Sequence, residues 1–388
     1  MPETTLPARA PSIRDPRLDV FRGLCLVMIF INHVPGNIYE NLTSRNFGFS
    51  DAAEGFVLMS GIAAGLAYSM DFNLAGRIWT GLARVWRRVW TLYMVHLVTT
   101  AAGLGAVAAV TLWLGDPAPL TQNLMKYLFT QPVKTFVGIP LLTHQLGYLN
   151  ILPLYLVLLL VSPPVLWLAW RRPAELLAGS VLLWFFAGVF RWNLPNMPIP
   201  GGWFFNPLTW QLIFVIGLVT GVGIRGGKRL VPVWRWLAWT CIAFLAFACV
   251  MVWVKPLAGA VGYGLWLAAD AGMPWNLTSF DKTFVTAPRL LHILALAYVL
   301  SAFPAVRAAC GSRAAAPFAL LGRQALPVFA LGSVLCLALQ AIKNTTGQNI
   351  ALDSLMIGGG LALQFALAAA RTYWPKPPKT THHPAVAG

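Results

Sequence analysis

Five ionisable side chains lie in or beside two strongly apolar segments near the start of the chain. In chain order they are Asp19, Arg22, His33, Asp51 and Glu54. A charged side chain at the centre of a bilayer costs about 2.5–3.5 kcal/mol on insertion scales, so such residues usually face the protein interior and carry a function. An imidazole near two carboxylates is the combination that general acid–base catalysis uses.

The spacing of Arg22 and His33 places both on one face of a helix. They are eleven positions apart, which is about three turns and about 16 Å of rise. Asp19 lies one turn before Arg22, where it can form an ion pair. Asp51 and Glu54 begin the second apolar segment, which returns antiparallel and brings them to the depth of His33. We therefore predict His33, Asp51 and Glu54 as catalytic residues, and a buried structural network is the alternative.

The composition identifies a membrane protein. Of the 388 residues, 58% are hydrophobic and only 10% are charged, whereas about a quarter of the residues in a soluble protein are charged. Several apolar runs reach the length of about 20 residues that spans a bilayer. The net charge is +16, but the basic residues recur between apolar runs, as in cytoplasmic loops. This distribution argues against nucleic-acid binding.

We predict an all-α polytopic membrane protein with ten spans and both termini in the cytoplasm, because most Lys and Arg residues then lie on the inner side. The predicted spans are 20–36, 51–70, 88–114, 147–170, 174–191, 206–224, 233–254, 283–303, 316–342 and 351–373. The corresponding domain covers residues 17–373, between a polar tail at 1–16 and a Pro- and Lys-rich disordered tail at 374–388.

Long outward segments at 115–146, 192–206 and 255–282 are predicted as loops, and loops of this length often cover a site. Polar groups cluster at the predicted outer side of several helices. Those predicted to bind substrate are Asn37, His144, Trp210, Gln211, Arg289 and His292. One such histidine is more often structural, but clusters on different helices favour a polar cavity. Trp203 and Phe204 suit either an interfacial belt or a sugar-binding platform.

Arginines crowd the predicted inner surface after the second span, with tryptophans between them. They are Arg77, Arg84, Arg87 and Arg88. Attraction to anionic lipids is one explanation, and a phosphate-bearing cofactor is the other, because guanidinium groups match phosphate oxygens. Within the second span, Ser60, Gly61 and Gly65 allow close helix packing or leave room for a thin ligand arm.

The segments RLDVFRGLCLVMIFINH and SDAAEGFVLMSG resemble the OpgC family, within the wider acyltransferase-3 group of transmembrane acyltransferases. That group is marked by a basic residue, ten residues and then His, matched here by Arg22 and His33. NILPLYLVLLL, FNPLTWQLIFVIG, PRLLHILALAY and LGRQALPVF extend the resemblance over nearly the whole chain. It implies a ten-helix enzyme of the bacterial inner membrane that transfers an acyl group from cytoplasmic acyl-CoA to a glycan outside the cytoplasm. OpgC proteins are associated with succinylation of osmoregulated periplasmic glucans.

The resemblance also implies residue roles. His33 takes the position of the catalytic histidine, and Asp51 and Glu54 support it. The residues implied for acyl-CoA are Arg22, Arg84, Arg87 and Arg88; Ser60 is added to this set because its small side chain leaves room for the ligand arm. Succinyl-CoA is the favoured donor, acetyl-CoA stays open, and no metal is expected. The expected partners are the glucan acceptor, acyl-CoA and the bilayer, with no nucleic acid; a homodimer is left open.

Three further points stay open at this level. Buried ionisable groups also suit a proton-coupled transporter of a glycan or organic anion, although carriers usually show two repeated halves, whereas here the cluster is confined to the first hairpin. A non-catalytic scaffold for glycan assembly is a third function. For the enzyme, an acyl-histidine intermediate is an alternative route, and Asn32, Asn37 and Ser60 are the candidate oxyanion donors.

Overall fold

A computed structural model describes residues 15–74, 76–346 and 349–375, which form helices joined by turns and irregular segments. The predicted tails at 1–16 and 374–388 lie almost wholly outside the described residues. The α-helices are α1 (Pro16–Asn32), α2 (Ala52–Asn73), α3 (Ile78–Leu114), α4 (Tyr127–Thr130), α5 (Pro132–Gly138), α6 (Ile151–Leu160), α7 (Ser162–Arg171), α8 (Pro173–Val189), α9 (Pro207–Arg225), α10 (Arg235–Trp253), α11 (Lys255–Asp270), α12 (Trp275–Thr278), α13 (Ala287–Ala302), α14 (Pro304–Cys310), α15 (Ala316–Arg323), α16 (Ala325–Thr346) and α17 (Ile350–Tyr373).

The helices confirm a multi-pass membrane protein. Six of those described are long and apolar enough to cross a bilayer: α2, α3, α9, α10, α16 and α17. The bent pairs α6–α7, at 56°, and α13–α14, at 83°, raise the number to eight if each pair is one span. The first and fifth predicted spans coincide with α1 and α8, which have 17 residues each. The ten predicted runs are therefore helical, although only six to eight meet the length and composition of a span.

Several elements differ from the sequence prediction, and the predicted loop 115–146 contains the short helices α4 and α5. The third span begins at Ile78, ten residues early, so its arginines stand on a 37-residue helix. The predicted loop 255–282 contains α11, because Leu257, Val261 and Leu265 recur with helical spacing despite the glycines between them. The ninth predicted span is broken at Gln324 between α15 and α16.

Glycines bring α2 and α9 into backbone contact. A Cβ on Gly61 would lie 2.1 Å from the Phe214 carbonyl oxygen, and a Cβ on Gly217 would lie 2.2 Å from that of Leu58. Gly65, one turn along, approaches α9 just as closely. Small residues four apart are the usual means of close helix crossing in membranes. Since α9 fills this face of α2, the face has no space for a ligand arm.

Helix α1 packs closely against two other helices. A Cβ on its Gly23 would lie 2.0 Å from the Phe318 carbonyl oxygen of α15. Farther along α1, the buried Phe30 ring packs against α17, where a Cβ on Gly360 would lie 2.2 Å from the ring. These contacts fix α1, and with it the positions of Arg22 and His33.

Candidate functional site

A cavity of about 670 Å³ opens at the C-terminal end of α1 and is called here the histidine cavity. Segments far apart in the sequence line it. The polar and aromatic lining residues are Asn32, His33, Arg45, Phe49, Ser50, Asp51, Tyr148, Asn150, Phe204, Phe205, Lys282 and Arg289. The cavity therefore combines an imidazole, paired charges and aromatic rings.

His33 directly follows the last residue of α1. Its backbone N–H bonds to the carbonyls of Ile29 and Phe30, so the helix end sets its position. The half-buried imidazole lies against Tyr148, with ring centroids 4.7 Å apart and planes inclined by 58°. Tyr148 has a φ of +69°, a conformation uncommon outside glycine that persists only where the surroundings enforce it. No feature of the sequence had singled out this tyrosine.

Asp51 and Glu54 form the start of α2. The Asp51 carboxylate accepts a hydrogen bond from the Ala53 N–H at 2.8 Å, and Glu54 Oε2 accepts one from the Asp51 N–H at 3.0 Å. This reciprocal pattern is a capping box, which satisfies amides that a helix start leaves free. The spacing of the two carboxylates thus has a structural role as well as the predicted chemical one.

Two cations neutralise these carboxylates. Lys282 Nζ donates to Asp51 Oδ2, and Arg289 Nε donates to Glu54 Oε1 at 2.7 Å. Arg289 also lies 3.6 Å from Asp51, and Glu54 is fully buried. Buried charges are tolerated when they are paired in this way. The carboxylates therefore belong to a balanced set of four charges, whereas the sequence had predicted support of His33 alone.

Two predicted substrate residues lie one layer behind the lining. Trp210 is fully buried and its indole N–H donates to the Lys282 carbonyl at 3.1 Å. His292 is buried, and its Nδ1 shares a hydrogen bond of 2.7 Å with the Ser50 hydroxyl. Neither residue is among the described residues that line the cavity, but each is bonded to one that is, Trp210 to Lys282 and His292 to Ser50.

Of the four other predicted substrate residues, one lines the histidine cavity and three do not. Arg289 lines the histidine cavity. Asn37 donates to the Ile31 carbonyl at 2.9 Å and thereby caps α1. His144 bonds through Nδ1 to the Met197 carbonyl, and its burial lowers its pKa. Gln211 exchanges hydrogen bonds with Ser180 between α9 and α8. The last three therefore satisfy buried polar groups away from the cavity.

A second cavity, of about 720 Å³, lies beside the N-terminal half of α1 and is called here the arginine cavity. Its four arginines come from four helices: Arg22 (α1), Arg88 (α3), Arg323 (α15) and Arg371 (α17). Its described lining contains no Asp or Glu. One helix thus contributes Arg22 to this cavity and His33 to the other, about 16 Å apart along its axis.

Only part of the predicted cofactor set lines the arginine cavity. Arg22 and Arg88 do so, whereas Arg84 pairs with Asp71 and donates to the Ala67 carbonyl at 3.1 Å. Arg87 is exposed and outside the described lining. Ser60 donates to the Phe56 carbonyl at 2.8 Å, within its own helix. Arg323 and Arg371 were missed, because nothing local distinguishes them from other basic residues at helix ends. Among the described residues, no group of three or more His, Cys, Asp or Glu could hold a metal ion.

The fold and its two cavities define a multi-pass helical membrane protein with one cavity lined by arginines beside the N-terminal half of α1 and one lined by an imidazole at its C-terminal end. Residues 14–376 match the protein family described as OpgC protein, so the chain belongs to the OpgC protein family. This confirms the resemblance seen in the sequence. Membership implies an acyltransferase acting in glucan succinylation. No curated protein and no solved structure gave a match.

Proposed function

We propose that the protein is an O-acyltransferase of the bacterial inner membrane. It moves an acyl group, with succinyl favoured over acetyl, from cytoplasmic acyl-CoA to a hydroxyl of a periplasmic glucan. The observation that carries this proposal is the pair of cavities on one helix, with Arg22 in one and His33 in the other. Such an arrangement suits a donor and an acceptor that arrive from opposite sides.

The donor binds in the arginine cavity. CoA carries several phosphate groups, and guanidinium groups bind phosphate through paired N–H donors. The arginines assigned to this task are Arg22, Arg88, Arg323 and Arg371. With both termini in the cytoplasm, as the distribution of Lys and Arg predicts, this cavity faces the compartment that holds acyl-CoA. The pantetheine arm then follows α1 toward His33. It does not pass along the face of α2 that carries Gly61 and Gly65, because α9 occupies that face.

The acceptor binds in the histidine cavity, where Phe204 and Phe205 offer apolar faces to a sugar. His33 takes the proton of a glucan hydroxyl, and the oxygen attacks the thioester carbonyl carbon. The C–S bond of the tetrahedral intermediate then breaks, and the CoA sulfur receives the proton from the imidazolium. The products are a glucan ester and free CoA. The Tyr148 ring packs against the imidazole and orients it, while Asp51, paired with Lys282, lines the same cavity.

The oxyanion of that intermediate needs a hydrogen-bond donor. Of the three candidates from the sequence, Asn37 is bonded to the Ile31 carbonyl of α1 and Ser60 to a carbonyl of its own helix. Asn32 lines the histidine cavity, and its Oδ1 accepts from Thr43 at 2.8 Å. This bond orients the amide and leaves its N–H₂ group as the donor that we assign to the oxyanion.

The test is succinyl transfer by the purified protein in nanodiscs, with succinyl-CoA and a periplasmic glucan as substrates and mass spectrometry of the glucan as readout. His33→Gln should lower kcat by about 10²–10⁴-fold, the usual contribution of a general base. His144→Gln, a buried histidine away from both cavities, should retain transfer. Transfer by His33→Gln at the wild-type rate would exclude the mechanism.

The bent pairs α6–α7 and α13–α14 also favour a carrier, since carriers use broken helices at their binding sites. The breaks at Val161 and Phe303, however, belong to neither described cavity lining. Uptake of labelled glucan or succinate into proteoliposomes without acyl-CoA would establish the carrier. The scaffold alternative predicts normal glucan acylation in cells that carry Arg22→Ala or His33→Ala.

A further inference from the structure

The backbone carbonyl of His33 lies just past the end of α1, where a helix leaves its last carbonyls without internal partners. Gln340 of α16 supplies a partner, because its Nε2 donates to the His33 carbonyl oxygen. Gln340 is only 3% exposed. Its Oε1 in turn accepts a hydrogen bond from Nδ2 of Asn123 at 2.7 Å. Two side-chain amides thus connect the segment before α4 to the backbone of His33.

Asn123 also contacts the residue before Tyr148, whose ring packs against His33. Its backbone carbonyl accepts a hydrogen bond from the Gly147 N–H at 3.1 Å. A Cβ on Gly147 would lie 2.9 Å from Asn123 Oδ1, so a larger residue at this position would displace the Asn123 amide. The next residue is Tyr148, whose ring contacts the imidazole. Asn123 itself has a φ of +49°, which asparagine tolerates better than most residues.

We propose that Gln340, supported by Asn123, is a positioning residue for His33. The amide pair fixes the helix end that carries the imidazole and the segment that carries Tyr148, so that the two rings keep one mutual placement. The inference rests on the proposed function, in which His33 is the general base. A misplacement of about 1 Å in a catalytic group can cost about 100-fold in rate.

The chain contains a matched control for this pair. Asn344, four residues after Gln340 on α16, donates through its side-chain amide to Gln122 Oε1. The bond joins the same helix to the same connecting segment, but it is exposed and does not reach His33. Removal of this bond therefore tests whether attachment of the segment matters in general, while removal of the Gln340 amide tests contact with His33.

The experiment compares Gln340→Met, Asn123→Gly and Asn344→Leu with the wild type in the nanodisc assay with succinyl-CoA. Met keeps the length of Gln without hydrogen-bonding groups, and Gly tolerates the positive φ of Asn123. Gln340→Met should lower kcat about tenfold or more, with KM for succinyl-CoA and for glucan within about twofold of wild type. Asn123→Gly should show a smaller loss of kcat in the same sense, and Asn344→Leu should match the wild type.

Wild-type kcat in Gln340→Met, a rise in KM alone, or an equal loss in Asn344→Leu would each overturn the positioning role. If Gln340→Met does not fold in the membrane, Asn123→Gly decides, and an unchanged kcat there overturns the role. His33→Gln separates this inference from the proposed function. Full transfer by His33→Gln refutes the function itself, whereas loss of transfer in His33→Gln with normal Gln340→Met refutes only the positioning.

Discussion

The two cavities along α1 differ in the signs of the charged residues that line them. In the histidine cavity the carboxylate of Asp51 is bonded to Lys282, and the adjoining Glu54 is bonded to Arg289. In the arginine cavity the charged residues of the described lining are all arginines. The charged residues that line the first cavity thus carry both signs, whereas those described for the lining of the second carry one.

This difference distinguishes paired charges, which order a site, from a lining of one sign, which attracts a ligand. A buried ion pair has already exchanged its water for a protein partner, so it orders the site and has little left to offer a ligand charge. A cavity lined by one sign of charge raises the local concentration of ligands of the opposite sign. The arginine cavity therefore suits a polyanion, and the histidine cavity suits a neutral acceptor such as an unmodified glucan.

The largest effect should come from breaking the balanced set. Glu54→Gln keeps the oxygen that caps α2 but removes the negative charge beside Arg289. We expect a loss of about 3–5 kcal/mol of stability, as for other buried pairs that lose one partner. The midpoint of thermal unfolding in detergent, followed by tryptophan fluorescence, measures it.

A matched surface pair provides the control for that measurement. Arg172 and Glu175 form an ion pair at the start of α8 with both side chains more than half exposed, and such pairs contribute about 0–1 kcal/mol. Glu175→Gln should therefore leave the unfolding midpoint nearly unchanged. Equal midpoints for Glu54→Gln and Glu175→Gln would show that the buried set is not structural.

An intermediate effect is expected from the arginine cavity. Arg88→Gln and Arg323→Gln should each raise KM for succinyl-CoA by about tenfold or more, since a charge-assisted hydrogen bond contributes about 1.5–3 kcal/mol, and should leave kcat within about twofold. Arg87→Gln, one residue away but exposed, should behave as wild type. Steady-state kinetics with varied succinyl-CoA decides, and an equal response of Arg87→Gln would remove the cavity from donor binding.

The smallest effect concerns salt. Raising the ionic strength from about 0.1 M to about 1 M shortens the screening length from about 10 Å to about 3 Å. KM for succinyl-CoA should then rise several-fold, because the open arginine cavity loses attraction for phosphate. KM for an unmodified glucan should stay constant. A parallel rise of both KM values would contradict the contrast between the cavities.

Features that depend on local spacing could be predicted from the sequence. The apolar runs predict the helices, and the helical period places Arg22 and His33 on one face of α1. The start of α2 is equally local, because Asp51 and Glu54 have the spacing of a capping box. These residues accordingly lie where the sequence predicted, at the two cavities or immediately beside them.

Features that depend on the approach of distant segments could not be predicted. Lys282 lies 231 positions from its partner Asp51, in a stretch predicted as a loop. Arg323 joins Arg22 only because α15 crosses α1. A polar residue at a helix mouth also has two uses that look alike in a sequence. His144 and Gln211 were predicted to contact substrate, but in the fold they satisfy other buried polar groups.

The glycine crossing at Gly23 and the Phe30 contact with α17 have a consequence for donor choice. Because α1 is packed against other helices at both points, it sets the distance of about 16 Å between Arg22 and His33. In the proposed reaction, a donor with a chain shorter than that distance between its phosphates and its acyl group would bind in the arginine cavity. Its acyl carbon would then not reach the imidazole. Selection by length then adds to selection by charge.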